Sequence, residues 1–376
     1  MENIIEYIPK NWEKKAKELG AMRRSRGVIV SAKSLLRLNM LYTTNNGSFQ
    51  MAALGMALTE GVTISKNSVA KRIRNSGEWL RWMAMELCAE QSATIEKPAF
   101  LCDKRLLLVD ATNESTKGKN KNTWRLHYIF DLFGFSCEAM DLTTNKEGER
   151  LTRHEVSPGD IYIADRIYCT MSGIEHVIRN NADFLLRFKS KSFILYNSAG
   201  ERIDLLSHLR SLGELENTDV HCFYKLPSGT MCPLRIVAMK KDAKAIAETK
   251  RKMSRKVSKK QEKQVQADTM EINEYVIIAT SLDYTNEQIL ELYRARWQVE
   301  QVFYRLKSLF GYDNVPSKRD DTVKAWFYGK LMLAALCESI LGILSNHQNR
   351  KKLLTFLLLF CLAWHINERG LPLCND

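Results

Sequence analysis

The sequence predicts a mixed α/β protein in which a helical N-terminal region precedes a mixed β-sheet. Residues 1–95 repeat apolar positions at helical spacing. From about residue 105 short apolar runs of strand length replace that pattern. Three successive strands are followed by a strand, a helix and another strand, and this order is typical of a mixed sheet.

The composition favours a globular protein that binds a polyanion. The chain has 376 residues, is 45% hydrophobic and carries a net charge of +13, and such basicity favours nucleic acid as a partner. Nine cysteines without a CxxC pair, and seven histidines without an HxxxH pair, argue against structural zinc and a disulfide framework. No phosphate-binding loop or dinucleotide fingerprint supports ATP or NAD chemistry.

The thiols and the N-terminus favour a cytoplasmic protein. The first fifteen residues lack the apolar segment of a signal peptide, and the cysteines are expected to be reduced and buried. The apolar run 353–364 has only 12 residues, which suits a buried helix better than a membrane span.

A helix-turn-helix pattern is predicted within residues 48–83. An apolar helix ends near Thr59, Gly61 lies in the turn, and Ser65 caps a second helix. An ordinary helical hairpin with a basic face is the alternative interpretation. The candidate DNA contacts of the second helix are Lys66, Lys71, Arg72 and Arg74.

Two of the predicted core strands end in an acid. The first lies within residues 105–112, and its apolar run ends at Asp110. The fourth lies within residues 157–168 and ends at Asp165. The remaining predicted elements are strands at 122–132, 135–143, 183–190 and 273–282, with helices at 171–181, 322–345 and 351–366.

Residues 191–272 interrupt this pattern and are predicted to form a β-rich insertion. Short strand-like pieces occur at 192–196, 220–226 and 234–239. They are followed by a basic run from Lys240 to Lys263 with eleven Lys or Arg and three acids. We expect this run to contact nucleic acid, while an exposed helix or loop with no ligand remains the alternative.

The stretch ELYRARWQVEQVFYRLK, residues 291–307, is predicted to be one helix with an N-cap at Thr285. At about 100° per residue its polar and aromatic side chains fall in one stripe roughly 100° wide. The stripe contains Tyr293, Arg296, Trp297, Glu300 and Lys307. A solvated face with ion pairs is the alternative interpretation.

Asp110, Asp165 and Glu300 together have the chemistry of a metal site. Acids at strand ends and on a covering helix can converge, and carboxylates are the ligands that Mg²⁺ or Mn²⁺ prefer. Two such ions are suited to phosphoryl displacement. Each acid also has a structural alternative, namely a turn cap for Asp110 and ion pairs with neighbouring arginines for Asp165 and Glu300.

The spacing Tyr293-x2-Arg296-x3-Glu300-x6-Lys307 resembles the Y-R-E-K signature of bacterial insertion-sequence transposases of family four. The resemblance covers roughly residues 30–345. It includes VDAT (109–112), WRLH (124–127) and ADRIY (164–168), which are similar to the segments around the two aspartates of that family.

The resemblance implies a DDE transposase with an RNase H-like core and a β-rich insertion. Asp110, Asp165 and Glu300 would be catalytic and hold two Mg²⁺ or Mn²⁺ ions. Tyr293, Arg296 and Lys307 would grip phosphates, and Trp297 would stack on DNA. The expected partners are double-stranded DNA, both the terminal inverted repeats and the target, and a second copy of the chain in a synaptic homodimer. The protein is expected at the nucleoid, with no membrane partner.

The expected reaction is cut-and-paste transposition, in which several relatives pass through a DNA hairpin. A transposase-derived DNA-binding protein without catalysis, or a metal-dependent nuclease of the same fold, is the alternative. The expected segments are a helical DNA-binding region (1–98), two parts of the core (99–190 and 273–345), the insertion (191–272) and a short helical tail (346–376).

Overall fold

The computed structural model describes residues 2–22, 29–90, 97–101, 103–116, 121–134, 136–226, 228–260, 267–310 and 315–344. Side chains are not described at 2–3, 256–260, 305–310, 338 or 341–344. The predicted helix at 351–366 and the tail at 346–376 lie outside the described residues. No helix of the described residues combines the length and apolarity that crossing a bilayer requires.

Helices form the N-terminal region, as predicted, and several begin at serine or threonine caps. Ser48 and Ser65 each accept a hydrogen bond from the backbone N–H three residues later. The helices of the described residues are α1 (Glu2–Ile5), α2 (Trp12–Glu18), α3 (Ala32–Thr44), α4 (Phe49–Glu60), α5 (Lys66–Arg74), α6 (Gly77–Glu90), α7 (Met171–Arg179), α8 (Leu205–Leu209), α9 (Ala243–Lys260), α10 (Ala267–Ile272), α11 (Asn286–Arg294), α12 (Trp297–Phe310) and α13 (Asp320–Leu344).

The strands form one mixed sheet in the order β3-β2-β1-β4-β5-β10-β9-β8-β6-β7. This confirms the mixed α/β class, while RNase H-like topology stays a prediction. The strands are β1 (Leu106–Ser115), β2 (Thr123–Asp131), β3 (Ser136–Thr144), β4 (Ile161–Ala164), β5 (Asp183–Arg187), β6 (Leu195–Tyr196), β7 (Arg202–Ile203), β8 (Asn217–Lys225), β9 (Met231–Lys240) and β10 (Tyr275–Thr280).

Contacts divide the chain into two units. The first unit comprises the described residues within 1–97, 110–148 and 299–344, and the second comprises those within 98–109 and 149–298. β1 contributes Asp110–Ser115 to the first unit and Leu106–Val109 to the second. The five predicted sequence segments stay a prediction.

The first unit buries α13 against α6 and the β2–β3 hairpin. Trp79 and Trp326 are fully buried there. The backbone N–H of Leu142 donates to the hydroxyl oxygen of Tyr328 at 2.9 Å, and Trp124 Nε1 donates to Asp320 Oδ1 at 2.9 Å. These polar contacts, together with the burial of its apolar side chains, hold α13 against the hairpin.

The second unit contains the parallel part of the sheet. Leu106–Val109 of β1 pair with β4, and β4 pairs with β5 in the same direction. These strands are buried on both faces, which explains their continuous apolar sequences. Arg105 makes a two-bond contact with Asp160 at 2.8 and 2.7 Å at the start of β4.

The predicted end of the first strand at Asp110 is wrong. β1 continues for five residues beyond Asp110 to Ser115, because β2 supplies hydrogen-bonding partners after β4 has ended. The fourth predicted strand does stop immediately before Asp165.

The strands of residues 191–272 join the same sheet. β9 pairs with β10 along six positions and with β8 along nine. The segment also contains α8, α9 and α10, so it adds helices to the strands that the sequence predicted. The basic run starts at the end of β9, and α9 forms most of it.

Candidate active site

Asp110 and Asp165 follow directly on paired positions of two parallel strands. Val109 of β1 pairs with Ala164, the last residue of β4, and each aspartate is the next residue along the chain. Both carboxylates are half-buried. The carboxyl ends of parallel strands are where ligand-binding side chains collect in open α/β sheets.

Each aspartate accepts a local backbone hydrogen bond. The N–H of Ala111 donates to Asp110 Oδ1 at 2.8 Å, and the N–H of Ile167 donates to Asp165 Oδ1 at 2.8 Å. The second contact closes an Asx turn immediately after β4. Such bonds orient the two carboxylates.

In the first unit, Asp110 and Glu300 are linked by the packing of β2 against α12. Ser115 and Thr123 share a hydrogen bond at 2.8 Å, and Arg125 Nε donates to Asn113 Oδ1 at 3.0 Å. This register, continued along the hairpin, sets Asp110 opposite Tyr128. Residues opposite one another in antiparallel strands point to the same face.

Tyr128 meets the helix that carries Glu300. Its ring packs edge-on against Phe303 of α12, with 5.9 Å between the ring centroids. Phe303 is three residues after Glu300 and therefore lies on the same side of the helix. The contact between Tyr128 and Phe303 therefore joins the strand position opposite Asp110 to the helix turn that carries Glu300.

The predicted single helix over 291–307 is wrong, because it breaks at Ala295 and Arg296. α11 ends at Arg294 and α12 begins at Trp297. The N–H groups of Ala295 and Arg296 bond three residues back, to Leu292 and Tyr293, both at 3.1 Å. Such bonds tighten the last turn of a helix. The predicted N-cap is confirmed, since Thr285 and Gln288 form a complete capping box.

The break separates the stripe into a buried part and an exposed part. Tyr293 and Arg296 are only 5% and 3% exposed, and the guanidinium of Arg296 lies 6.0 Å from the centroid of the Tyr293 ring. Trp297 is 38% exposed, and Glu300 is half-buried. Lys307 belongs to α12, and its side chain lies outside the described residues.

The two helices of the helix-turn-helix candidate, α4 and α5, form with the predicted turn and cap, and their role as a DNA-binding motif stays a prediction. Gly61 ends α4 with a φ of 67°, a conformation that glycine adopts without strain. Lys66 and Lys71 are exposed, whereas Arg72 and Arg74 are half-buried. Burial lowers the pKa of Arg72. Val69 and Ile73 occupy the buried side of α5.

Some of the described cations of the basic helix α9 form ion pairs. Lys250 pairs with Glu274 at 2.7 Å, and Lys252 approaches Glu248 at 3.4 Å. Lys244 and Arg255 are exposed. The basic run therefore forms a helix with exposed cations, as the alternative interpretation expected. Its contact with nucleic acid stays a prediction.

Arg235 is a site residue that sequence patterns did not reveal. It lies in β9 and reaches the segment that joins β10 to α11. Its Nη1 donates to the carbonyl oxygens of Leu282 and Tyr284 at 3.1 and 2.6 Å, and its Nη2 donates to Asn286 Oδ1 at 2.8 Å. Arg235 thus fixes the start of the helix that carries Tyr293.

No group of three His, Cys, Asp or Glu side chains in the described part of the chain is arranged to hold a metal ion. By donor chemistry, the three predicted acids still match Mg²⁺ or Mn²⁺, because all are carboxylates. Asp110 and Glu300 belong to the first unit, and Asp165 belongs to the second.

Comparison with known proteins identifies the family. A model described as the transposase DDE domain matches residues 101–336. This chain belongs to the DDE transposase family. The matched span of the DDE transposase contains Asp110, Asp165 and Glu300, whereas α4 and α5 precede it.

Individual transposases of insertion sequences resemble this DDE transposase over nearly its whole length. It is 30% identical over 349 residues to the InsL protein of insertion sequence element IS186A from Escherichia coli strain K12. It is also 30% identical over 350 residues to the transposase of insertion sequence element IS421 from Escherichia coli. Each alignment covers 90% of this chain and 93% of the relative.

A third relative matches a shorter segment. The transposase of insertion sequence element IS231F from Bacillus thuringiensis subsp. israelensis is 34% identical over 106 residues, which are 28% of this chain and 21% of that protein. Near-complete coverage of the first two relatives, with the family match, identifies an insertion-sequence DDE transposase.

Proposed function

We propose that this chain is a cut-and-paste DNA transposase that cleaves the ends of an insertion sequence and joins them to target DNA. The observation that supports this proposal is the pairing of Val109 with Ala164 in parallel strands, because Asp110 and Asp165 are the residues that follow this pair along the chain. Membership of the DDE transposase family supports the reaction class.

Asp110, Asp165 and Glu300 would hold two divalent ions, Mg²⁺ or Mn²⁺. When bound, such ions stabilise the charge that develops on phosphate oxygens during displacement. The hydrogen bonds from Ala111 and Ile167 orient the two aspartates. The contact between Tyr128 and Phe303 holds the α12 turn that carries Glu300 against β2.

Cleavage would add a water molecule to the phosphorus at the element end and break its bond to the 3′ oxygen, which leaves as a 3′-OH. In the joining step, this 3′-OH would attack a phosphorus of the target strand. The bond from that phosphorus to its 3′ oxygen would break, and the target nucleotide that carries this oxygen would leave with a 3′-OH. Arg296, Lys307 and Tyr293 would hold the strand end through both steps, because phosphate contacts fix position and register. Trp297, which is exposed, is suited to stack on a base.

The test uses the full chain and duplex DNA with the native inverted repeats that flank its gene, together with Mg²⁺ or Mn²⁺. The wild-type chain should produce 3′-OH ends and joined products. Asp165→Asn and Glu300→Gln should abolish both products and leave binding to the ends nearly unchanged, since the carboxylates act mainly in the transition state. Glu201→Gln is the control, because Glu201 is an exposed acid bonded to Asn197.

The products distinguish the alternatives. Binding without cleavage by the wild-type chain would favour a DNA-binding protein that has lost catalysis. Cleavage without joined products would favour a nuclease. Substantial cleavage by Glu300→Gln would contradict the assignment of this residue as a ligand.

A further inference from the structure

Three sulfur-bearing side chains lie between α6 and β3 in the first unit. The thiol of Cys137 on β3 donates to the thioether sulfur of Met85 on α6 at 3.7 Å. Cys88 follows Met85 by one helical turn and lies on the same side of α6. α6 packs against β3 within this unit, so the three side chains belong to one compact body. The proposed cleavage and joining steps use none of them.

Two contacts fix how α6 lies on β3. Arg81 Nε donates to the carbonyl oxygen of Met140 at 2.9 Å, and further along the helix Met85 contacts Cys137. Forward movement along α6 therefore corresponds to backward movement along β3. From Met85 to Cys88 the helix advances about 4.5 Å, which is roughly the length of one to two strand residues. Cys88 is thus set beside the end of β3 that carries Cys137.

The two thiols differ in their access to solvent. Cys88 is half-buried, whereas Cys137 is only 5% exposed. Burial raises the pKa of the Cys137 thiol well above its usual range, the nearby Cys88 raises it further, and a hydrogen bond from Tyr128 lowers it. Cys137 therefore stays protonated at neutral pH, and a small oxidant in solution reaches Cys88 first. An accessible thiol next to a second, resolving thiol is the usual arrangement of a redox-sensitive pair.

Cys137 is also next to the aromatic contact that holds α12. Tyr128 donates a hydrogen bond to the sulfur of Cys137, and its ring packs edge-on against Phe303 at 5.9 Å. Phe303 lies on the turn of α12 that carries Glu300. A change at the sulfur of Cys137 therefore acts on the side chain that holds this turn against β2.

We propose that Cys88 and Cys137 form an oxidation site for peroxides, and that the resulting disulfide slows DNA cleavage. Disulfides of proteins in a reducing compartment are usually transient and serve redox sensing. The effect on cleavage rests on the proposed function, whereas the formation of the disulfide does not.

The oxidation has two steps. Hydrogen peroxide transfers one oxygen atom to the sulfur of Cys88, its O–O bond breaks and its other oxygen leaves as water, so that Cys88 becomes a sulfenic acid. The sulfur of Cys137 then attacks the sulfur of Cys88. An S–S bond forms, the S–O bond breaks, and the oxygen leaves as water with the proton of the Cys137 thiol. Two thiols are oxidised, and one peroxide is reduced to two water molecules.

The disulfide would draw the sulfur of Cys137 towards α6, because an S–S bond is only about 2.0 Å long. A disulfide sulfur has no proton to donate and accepts hydrogen bonds weakly. Tyr128 would lose its bond to Cys137, and the turn that carries Glu300 would lose part of its support. Cleavage should fall by about tenfold or more, since a displacement of about 1 Å at a reacting group can cost about 10²-fold.

The first experiment maps the disulfide. The full reduced chain is treated with a stoichiometric amount of hydrogen peroxide, and unreacted thiols are blocked. Because the chain has nine cysteines, the pair is identified by mass spectrometry after digestion at glutamates, which separates Cys88 from Cys102. A crosslinked peptide that joins Cys88 to Cys137 is expected, and dithiothreitol should remove it. Dithiothreitol leaves methionine sulfoxide intact, so reversal distinguishes the disulfide from oxidation of Met85.

The second experiment measures cleavage of the native inverted-repeat duplex with Mg²⁺, after catalase has removed the peroxide. Wild-type cleavage should fall on oxidation and recover in dithiothreitol. Cys88→Ser should cleave at the rate of the untreated wild type with or without peroxide, because the thiol that reacts first is missing. Cys337→Ser is the matched control, since Cys337 is an exposed cysteine of α13, and it should respond to peroxide as the wild type does.

Circular dichroism checks that every variant is folded, and Cys137→Ala replaces Cys88→Ser if that variant unfolds. A map without the Cys88–Cys137 peptide, or one that joins Cys88 to Cys337 instead, overturns the pair. A mapped Cys88–Cys137 disulfide with unchanged cleavage overturns its effect on the site. A reduced wild-type chain that cleaves no DNA contradicts the proposed function, and the peptide map then decides the pair by itself because it requires no DNA.

Discussion

Arg235 donates to the carbonyl oxygen of Tyr284 at 2.6 Å and thereby ties β9 to the start of α11. The same guanidinium also bonds Asp219 on β8 at 2.9 Å. Asn286, the first residue of α11, completes the cluster through a bond to Asn217 at 3.0 Å. Strands that the sequence marked as an insertion therefore position the helix that carries Tyr293.

Replacing Arg235 with lysine should lower the free energy of unfolding by roughly 2–3 kcal/mol, because one ammonium cannot replace the fork of donors. Urea unfolding measures the change, and hydrogen exchange should show faster opening at the first turn of α11. The control is Arg210→Lys, which alters an exposed pair with Glu271 and should cost less than about 1 kcal/mol. Equal destabilisation in the two variants would show that the cluster has no special role.

Asp219 should make stability depend on pH in the acid range. Burial raises the pKa of Asp219, but the hydrogen bond and charge of Arg235 lower it more, so the pKa lies below its ordinary value of 3.8. A group whose pKa is depressed on folding stabilises the protein above its unfolded pKa and loses that contribution as the pH falls through its folded pKa. The contribution should therefore be constant above about pH 5 and disappear below the folded pKa.

The measurement compares wild type with Asp219→Asn by urea unfolding from neutral pH down into the acid range. The difference in unfolding free energy should shrink only at the acid end. Asp283→Asn, a change at an exposed carboxylate, is the matched control. A wild-type advantage that grows on acidification would contradict the assigned direction.

Tyr328 should stabilise the first unit through its hydroxyl oxygen. Tyr328→Phe leaves the buried N–H of Leu142 without the acceptor seen at 2.9 Å, which should cost about 1–3 kcal/mol. Thermal or urea unfolding measures this destabilisation. Tyr304→Phe is the matched control, because Tyr304 is 66% exposed and should change stability by less than about 0.5 kcal/mol.

The exposed cations of α9 should contribute to DNA affinity in a sequence-independent way. Neutralising Lys244 and Arg255 together should weaken binding to all duplexes and reduce the salt slope by about 0.9 for each phosphate that is no longer neutralised. Lys14→Gln, a change at an exposed lysine of α2, is the control for a general reduction of charge. A slope equal to that of the wild type would show that α9 is a solvated face.

Arg296, Trp297 and Lys307 should act at different steps of transposition. Arg296→Gln and Lys307→Ala should retain some first-strand nicking and lose more of the later strand transfer, because the cut end must be held after the first step. Trp297→Ala should mainly affect the step between, since stacking on a base is worth about 1–3 kcal/mol.

A time course on labelled inverted-repeat DNA resolves nicked, hairpin, excised and joined products. Because Arg296 is buried beside Tyr293, its variant is first checked for an unchanged unfolding midpoint. Equal slowing of every step by all three variants would assign the stripe a structural role. Glu201→Gln serves again as the control with full activity.

Local patterns were sufficient for much of the fold. Continuous apolar runs predicted β4, β5 and β10, because strands buried on both faces need apolar side chains at every position. The caps at Ser65 and Thr285 were predictable, since a hydroxyl that accepts a nearby backbone N–H is a contact within a few residues. The acids Asp110 and Asp165 could be selected because each follows such an apolar run.

Other features depended on residues far apart in the chain. β1 continues past Asp110 because β2 pairs with it, and no local property of residues 111–115 marks that partner. The break at Ala295 and Arg296 occurs among good helix formers. Tyr293 and Arg296 are buried by tertiary packing. This packing outweighs the helix propensities of the residues at the break, which differ by only about a few tenths of a kcal/mol per residue.

The sequence by itself predicted most of the core strands, the caps and the candidate acids, because each is a short pattern with a local physical cause. Only the tertiary structure decided that β8 and β9 extend the main sheet and that Arg235 holds α11. Those relations join residues separated by tens of positions. They arise from strand pairing and burial, which a single segment of sequence does not encode.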